Sequence, residues 1–297
     1  MISIIICSIN PGYLRALTLN IEATIGSEYE ILSFDNTFEK KGISEIYNQQ
    51  AAFAKYDILC FMHEDVIIHT LNWAEILHEL LADKSIGLVG ISGAIFKSHY
   101  SGTWSSCNQN LYRTNSIQHF KNKETPVTIN INPENEIVAT VAIIDGVFMA
   151  TRKDVFSTFS FDEKLLKGFH GYDIDYSIQI GQKYKLVVSY RILLEHLSEG
   201  TLSAQWLQDS IAVHKKWKEI LPVKVFSLSD GEIQYNNYLS ISNVLNVSLK
   251  FINNKRLVIT TYVILIFNFW KYNKYRYSKA VIKYFLLSKK RHVYYEH

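Results

Sequence analysis

Two carboxylates and an imidazole stand together at His63-Glu64-Asp65, directly after the apolar run Asp57-Ile-Leu-Cys-Phe-Met62. Charged groups are rarely buried without a partner, so the trio is a poor choice for packing. It is a good choice for holding a divalent cation at a strand end, where oxygen ligands suit Mg or Mn and leave positions open for phosphate oxygens. The same residues also fit a solvated turn with an acidic cap on the following helix. A second cluster lies in Gly168-Phe-His-Gly-Tyr-Asp-Ile-Asp175. Asp173 and Asp175 at a helix start can cap it and face its dipole, or one can stand in a cleft beside His170 as a general base. His196 follows in Leu193-Leu-Glu-His-Leu-Ser198, either as a metal ligand or as a satisfied histidine of the fold.

Clusters of this kind need elements to hold them. Ile2 to Cys7, Glu30 to Phe34, Asp57 to Met62 and Ile86 to Ile91 read as strands. Between them Tyr13 to Ala23, a segment N-capped by Ser44 and running to Lys55, and Leu71 to Leu81 read as helices. The alternation predicts an α/β fold with a mostly parallel sheet flanked by helices, and ligands bind beyond the carboxyl ends of such strands. Polar residues stand at three of those ends: Ser8-Ile9-Asn10, Asp35-Asn36 and His63-Glu64-Asp65. From Gly93 to Pro133 the periodicity lapses, which predicts a functional loop region. Strand signals return at Ile137 to Ile144, Val147 to Ala150 and Lys185 to Ser189. Helices are expected near Arg152, after Gly168, and over Ala204 to Ile220, the last closed by Pro222.

Composition bounds the class. The 297 residues include 48% hydrophobic and 20% charged side chains with only 13 Gly and 4 Pro, which excludes collagen, low-complexity linkers and a disordered chain. Three cysteines, Cys7, Cys60 and Cys107, are odd in number and widely spaced, which points to a reducing cytosol rather than a disulfide framework. The N-terminus has no basic segment ahead of its short apolar run, so no signal peptide is expected. The sequence has no G-x-x-x-x-G-K-S/T loop, no G-x-G-x-x-G after the first strand, no G-x-S-x-G elbow and no H-E-x-x-H helix.

In order along the chain, these clusters resemble the nucleotide-sugar-dependent glycosyltransferases of the GT-A fold. More narrowly they resemble the inverting family-2 type and its branch named after a streptomycin-biosynthesis protein. The resemblance rests on Ile2 to Asn10, Glu30 to Asn36, Tyr47 to Asp65, Ile144-Asp-Gly-Val-Phe-Met-Ala-Thr-Arg152, Gly168 to Asp175 and His196-Leu-Ser198. It implies that Ser8, Ile9, Asp35 and Asn48 form the donor's nucleoside pocket, with Glu64 near the donor sugar or ribose. Gly146 would let the backbone approach the sugar. Asp65, His196 and His63 would serve the cation, His63 standing where a D-x-D motif has its first Asp. Asp173 would be the general base, with Tyr172 in place of the glutamate of the family's E-D motif. A divalent cation, Mn or Mg, and a nucleotide-diphosphate sugar are then the implied cofactor and donor, with a glycan or lipid-linked acceptor in surface polysaccharide or glycoconjugate synthesis, and Tyr100, Trp104 and Arg113 of the Gly93 to Pro133 stretch are the expected acceptor contacts. The rival reading is a noncatalytic sugar-nucleotide-binding or membrane-scaffolding protein on the same fold. A related pyrophosphorylase lacks support because the Gly-rich, Arg-containing opening loop is missing.

The last segment reads differently from the body. Residues 251–297 hold ten Lys and Arg against Glu296, a charge of +9, so residues 1–250 carry −6 within the total of +3. Leu257 to Trp270 is 14 uncharged residues, about 21 Å as a helix against a ~30 Å hydrocarbon core. A catalytic domain over residues 1–225 is therefore expected, followed over 226–297 by a helical, basic and aromatic region. That region fits either an anionic membrane surface on the cytoplasmic side or packing on protein, including a homodimer interface. Nothing in the body supports nucleic-acid binding.

Overall fold

A computed structural model describes residues 1–251, 254–273 and 276–291. The first half alternates β1 (Ile2–Ser8), α1 (Pro11–Thr24), β2 (Tyr29–Asp35), α2 (Ile43–Phe53), β3 (Ile58–Met62), β4 (Val66–Ile68), α3 (Trp73–Ala82) and β5 (Ile86–Gly90). Short strands follow: β6 (Ser92–Ala94), β7 (Phe96–Lys97), β8 (Tyr112–Gln118), β9 (Val127–Ile131), β10 (Val138–Val141), β11 (Ile143–Ile144) and β12 (Phe148–Arg152). The remainder is α4 (Lys153–Thr158), α5 (Tyr172–Gly181), β13 (Lys185–Ser189), β14 (Leu194–His196), α6 (Ala204–Lys216), β15 (Val223–Lys224), α7 (Asp230–Phe251), α8 (Lys255–Asn273) and α9 (Ser278–Arg291).

The central sheet has the order β10-β13-β5-β12-β3-β1-β2. Strands β1, β2, β3, β5 and β13 run one way, and β12 and β10 run against them. The β1 sequence accounts for helices on both faces, because successive strand side chains point to opposite sides. Ile2, Ile4 and Ile6 join Leu17, Ile21, Trp73 and Leu77 in one core, whereas Ile5 faces Tyr47, Tyr176 and Ile178 in the other. Fully burying each isoleucine contributes roughly 1.5–3 kcal/mol.

A second sheet, β11-β6-β8-β14-β4 with β9 against β8, takes in much of the stretch expected to be loop through β8 and β9. Its central strand β8 is mostly polar, as in Thr114-Asn-Ser-Ile117, so it lacks the apolar run that marked the central strands of the first sheet. The expected strand Ile137 to Ile144 is divided between the two sheets, with β10 on β13 and β11 on β6. Ser44 does not cap α2. Gly42 holds that position, and the Ser44 hydroxyl is buried in the first turn without a hydrogen-bond partner. Helix α6 ends at Lys216, short of the expected Ile220.

Helices α7, α8 and α9 build a small core of their own from Tyr238, Ile241, Leu245, Val258, Leu265, Phe269, Tyr277 and Val281. Among the described residues no helix is long and apolar enough to cross a membrane. Of the tail charges, Lys274, Lys289, Lys290, Arg291 and Glu296 lie outside the described side chains.

Candidate active site

Sheet register assembles the site. β1 pairs in parallel with β2 and β3, which brings Ser8 beside Asp35 and sets His63, just past Met62, at the same edge. Antiparallel β12 starts where β3 ends, with Phe148 opposite Met62, so Asp145-Gly146 arrives at that edge from the other direction. His63 N–H extends the pairing by donating to Val147 O at 3.1 Å. The chain then enters the second sheet through β4, where Val66 pairs with His196, and His196 in turn pairs with Gln118 of β8. Gly171 takes a φ of 78°, a conformation that glycine adopts without steric cost, and opens α5 with Tyr172 and Asp173 in its first turn.

The result is one cluster from distant sequence positions. His196 Nε2 lies 3.5 Å and His63 Nδ1 4.0 Å from Asp65 Oδ1. One ligand atom from each of the three residues falls within 4.8 Å of the others. His196 Nδ1 pairs with Gln118 Oε1 at 3.1 Å, which requires that nitrogen to donate. In the neutral ring Nε2 is then the lone pair, and it is buried and without a hydrogen-bond partner. On the far side of the trio, His63 Nε2 is 2.8 Å from the Tyr172 hydroxyl. An orphaned buried nitrogen beside a carboxylate and a second imidazole fits a divalent transition-metal ion. The trio could hold a metal through His63, Asp65 and His196.

Electrostatics agree with that fit. Burial works against ionisation of Asp65, yet His196, the Ser198 hydroxyl and His63 hold its carboxyl well below the usual range. Burial lowers the His63 imidazole to about 4, with His196 adding to the effect and Asp65 opposing it, so the His63 ring is available as a neutral ligand near neutrality.

A cavity of about 510 Å³ opens from this cluster and is lined by His63, His196, Asp145, Tyr172 and Asp173. Burial raises Asp173 to about 7, and the neighbouring Asp145 carboxylate adds to the rise, while backbone amides of Ile174, Asp173 and Gly146 oppose it. Asp145 is itself raised by burial, with His196, two backbone amides and the Trp104 indole favouring its charged form. Two carboxylates whose environments favour protonation, facing a cavity beside a cation-binding trio, form a site suited to proton transfer.

Other residues expected in the site fall into distinct places. Glu64 ties down the end of β1: it accepts from Ser8 Oγ at 2.6 Å, Ile9 N–H at 3.2 Å and Asn10 N–H at 3.1 Å. Asp35 stands exposed at the end of β2, its carboxylate lowered by the hydroxyl and amide of Thr37. The Asn48 amide group donates to Phe161 O and Glu163 and accepts from Phe161 N–H, clamping a loop. Gly146 faces Tyr172, whose hydroxyl would collide with an added Cβ, so the close approach here is by that phenol. Asp175 is structural. It is fully buried, paired with Lys216 Nζ at 2.8 Å and Trp217 Nε1 at 2.7 Å, and so ties α5 to α6. His170 lines the cavity near Asp209, its imidazole lowered by burial.

Of the expected acceptor contacts only Trp104 lines the cavity. Tyr100 packs on Phe269 of α8, and Arg113 is buried with its guanidinium donating to Asn110 O and Tyr112 O. Phe120, Phe169 and Trp206 supply further aromatic wall. Three residues escaped the sequence reading. Asp145 was visible beside Gly146 but had no marked partner, Gln118 lies in a polar stretch, and Lys97 sits in Ala94-Ile-Phe-Lys97. Lys97 is 1% exposed and donates to Gly102 O at 2.7 Å and Thr103 O at 3.0 Å, holding the loop that carries Trp104.

Known proteins can be set beside this geometry. No curated protein matches the chain. Among solved structures, GalNAc-T7 with UDP, GalNAc and Mn2+ is 13% identical with a TM-score of 0.53, over 88% of this chain and 53% of that one. The chain thus spans about half the length of that protein. The mannosyltransferase PcManGT from Pyrobaculum calidifontis, in complex with GDP-Man and Mn2+, is 10% identical with a TM-score of 0.46, over 100% of this chain and 88% of that one. The likeness to GalNAc-T7 is one of fold, the GT-A arrangement of a central sheet flanked by helices. A family model matches residues 3–211, a span that contains every residue of the cluster, and the chain belongs to the Glycosyltransferase like family.

Proposed function

We propose that the protein is an inverting glycosyltransferase that moves a sugar from a nucleotide-diphosphate donor to an acceptor hydroxyl, a glycan or a lipid-linked saccharide. The observation that carries this reading is the His63-Asp65-His196 trio opening onto a cavity that also bears Asp173. GalNAc-T7, which shares the fold, was solved with UDP, GalNAc and Mn2+. Ser8, Ile9, Asp35 and Glu64, at the ends of β1, β2 and β3, would receive the nucleoside. The cavity, walled by Trp104, Phe169 and Trp206, would receive the acceptor.

Asp173 is the base in this scheme. As a carboxylate it takes the proton of the acceptor hydroxyl while that oxygen attacks the anomeric carbon, and the bond from that carbon to the diphosphate oxygen breaks on the opposite face. One displacement inverts the centre. A cation bound at the trio supplies charge stabilisation for the departing diphosphate. Tyr172 orients the His63 ring, and Gln118 fixes the tautomer of His196, as outer partners of a metal site do. Catalytic function is assigned to residues 1–225, and residues 226–297 to a helical appendage. Thermal-shift measurements on the whole chain with a panel of nucleotide-diphosphate sugars, with and without Mn, test the reading. A donor-specific rise in melting temperature that needs the cation is expected; no response to any donor would argue against it.

A further inference from the structure

Helix α8 buries one apolar side and exposes another. Val258, Leu265 and Phe269 are buried in a core shared with Tyr238, Ile241 and Leu245 of α7. Ile259, Val263, Phe267 and Trp270 instead stand 48%, 42%, 79% and 45% exposed. Ile259, Val263 and Phe267, four residues apart, lie along one face of the helix, ahead of a break in helical geometry at Phe269. Lys255 and Arg256 at the start of α8 are exposed and fall on that same face, and Lys271 beyond the break is exposed as well. An exposed apolar stripe headed by cations is more than packing on α7 requires, and stripes of this kind mark contact surfaces.

Charge decides what the stripe contacts. From Ile233 to Tyr295 the sequence holds eleven Lys and Arg and no Asp or Glu. A second copy meeting this face with its own α8 would bring the same positive charge, which repels. An anionic lipid surface attracts it, and the long basic side chains can reach the headgroups while the stripe enters the headgroup and acyl boundary. The helix is too short in apolar residues to cross. We propose that the face of α8 bearing Ile259, Val263 and Phe267 lies flat in an anionic membrane surface.

The same helices adjoin the cavity. Leu202 and Trp206 line it and also pack with Val244 and Val247 of α7 and Leu257 of α8. Docking through α8 would hold the cavity close to the lipid surface, where a lipid-linked acceptor is presented. This consequence rests on the transferase reading, whereas docking itself does not.

Flotation of the full chain with phosphatidylcholine vesicles, with and without phosphatidylglycerol, tests the docking without any activity measurement. Wild type is expected to float only with phosphatidylglycerol vesicles and to lose binding as salt rises. Replacing Lys255, Arg256 and Lys271 by Gln, all at exposed positions, should weaken binding about 100-fold, near fivefold for each base. The variant Ile259→Ser/Val263→Ser/Phe267→Ser should weaken it at least ~tenfold, with a melting temperature equal to that of wild type. Wild-type binding indifferent to lipid charge, absence of binding to either vesicle, or equal binding by wild type and the charge variant would overturn the proposal. A wild-type dimer that the apolar variant dissociates, with no flotation, would assign the face to a second copy instead.

Discussion

His196 turns one ring nitrogen to Gln118 Oε1 at 3.1 Å and presents the other, buried and without a hydrogen-bond partner, to Asp65 Oδ1 at 3.5 Å. That pairing commits His196 to the tautomer a metal needs, so the first prediction concerns cation binding. Asp65→Ala and His196→Ala should abolish Mn binding in calorimetry, and Gln118→Leu should weaken it by roughly 10–100-fold without unfolding the chain. Imidazole favours transition metals over Mg. Wild type should therefore prefer Mn, and His63→Asp should shift preference toward Mg. Equal Mn affinity in wild type and Asp65→Ala would remove the metal from the account.

The Asp145 and Asp173 carboxylates set a pH dependence. Burial and the like charge of Asp145 raise Asp173 to about 7, so its carboxylate form is lost as pH falls through that value. In cation-free buffer a carboxyl-carbon NMR titration should show this midpoint. Asp145→Asn should move it lower by about one unit or more, because a repelling charge is gone. A wild-type midpoint in the ordinary range near 4 would contradict the pair.

Much of the frame was legible in the sequence. Residues 2–7 and 57–62 are apolar enough to reveal buried strands and residues 30–34 a strand at the sheet edge, and their polar ends located Ser8, Asp35 and the trio. Asp173 and His196 were reached through resemblance, since spacing alone left capping and core roles open. The second sheet was not legible, because β6 and β14 are only three residues long and β8 is mostly polar, with Ser92 pairing to Thr114 and Asn115 to Asn130 across strands rather than filling a core. Gln118 was missed for the same reason. Asn48 looked like a pocket residue, but its amide is fully engaged by the loop at Phe161, a contact 113 positions away.

Gly146 and Tyr172 should behave as a unit. An added Cβ at Gly146 would collide with the Tyr172 hydroxyl and press on its ring, so Gly146→Ala should cost about 1–3 kcal/mol in denaturant unfolding. Tyr172→Phe removes the hydroxyl that reaches His63 and Gly146 O, and only part of the steric conflict. The double variant should then be less destabilised than the sum of the singles by at least ~0.5 kcal/mol, and strict additivity would show that the two residues do not touch.

His214 supplies a separate stability signal. Burial, with Lys97 nearby, holds its imidazole well below 6.5, and its Nδ1–H donates to Ser210 O at 2.7 Å. The unfolded chain takes up this proton below pH 6.5 while the folded chain does not, so the contribution is intact above 6.5 and lost as pH falls. Unfolding free energy should drop by up to ~1.4 kcal/mol per pH unit below that point, and His214→Leu should flatten the slope. An unchanged slope in the variant would mean that His214 titrates normally.

The central claim is single-displacement transfer with Asp173 as base. NMR observation of the anomeric proton during turnover of a nucleotide-diphosphate sugar with Mn tests it most directly, in wild type and in Asp173→Asn. The account predicts release of nucleoside diphosphate, an inverted anomeric configuration in the transferred sugar, and a rate at least ~100-fold lower in the variant with donor binding intact. Retention of configuration, or equal rates in the two proteins, would contradict it.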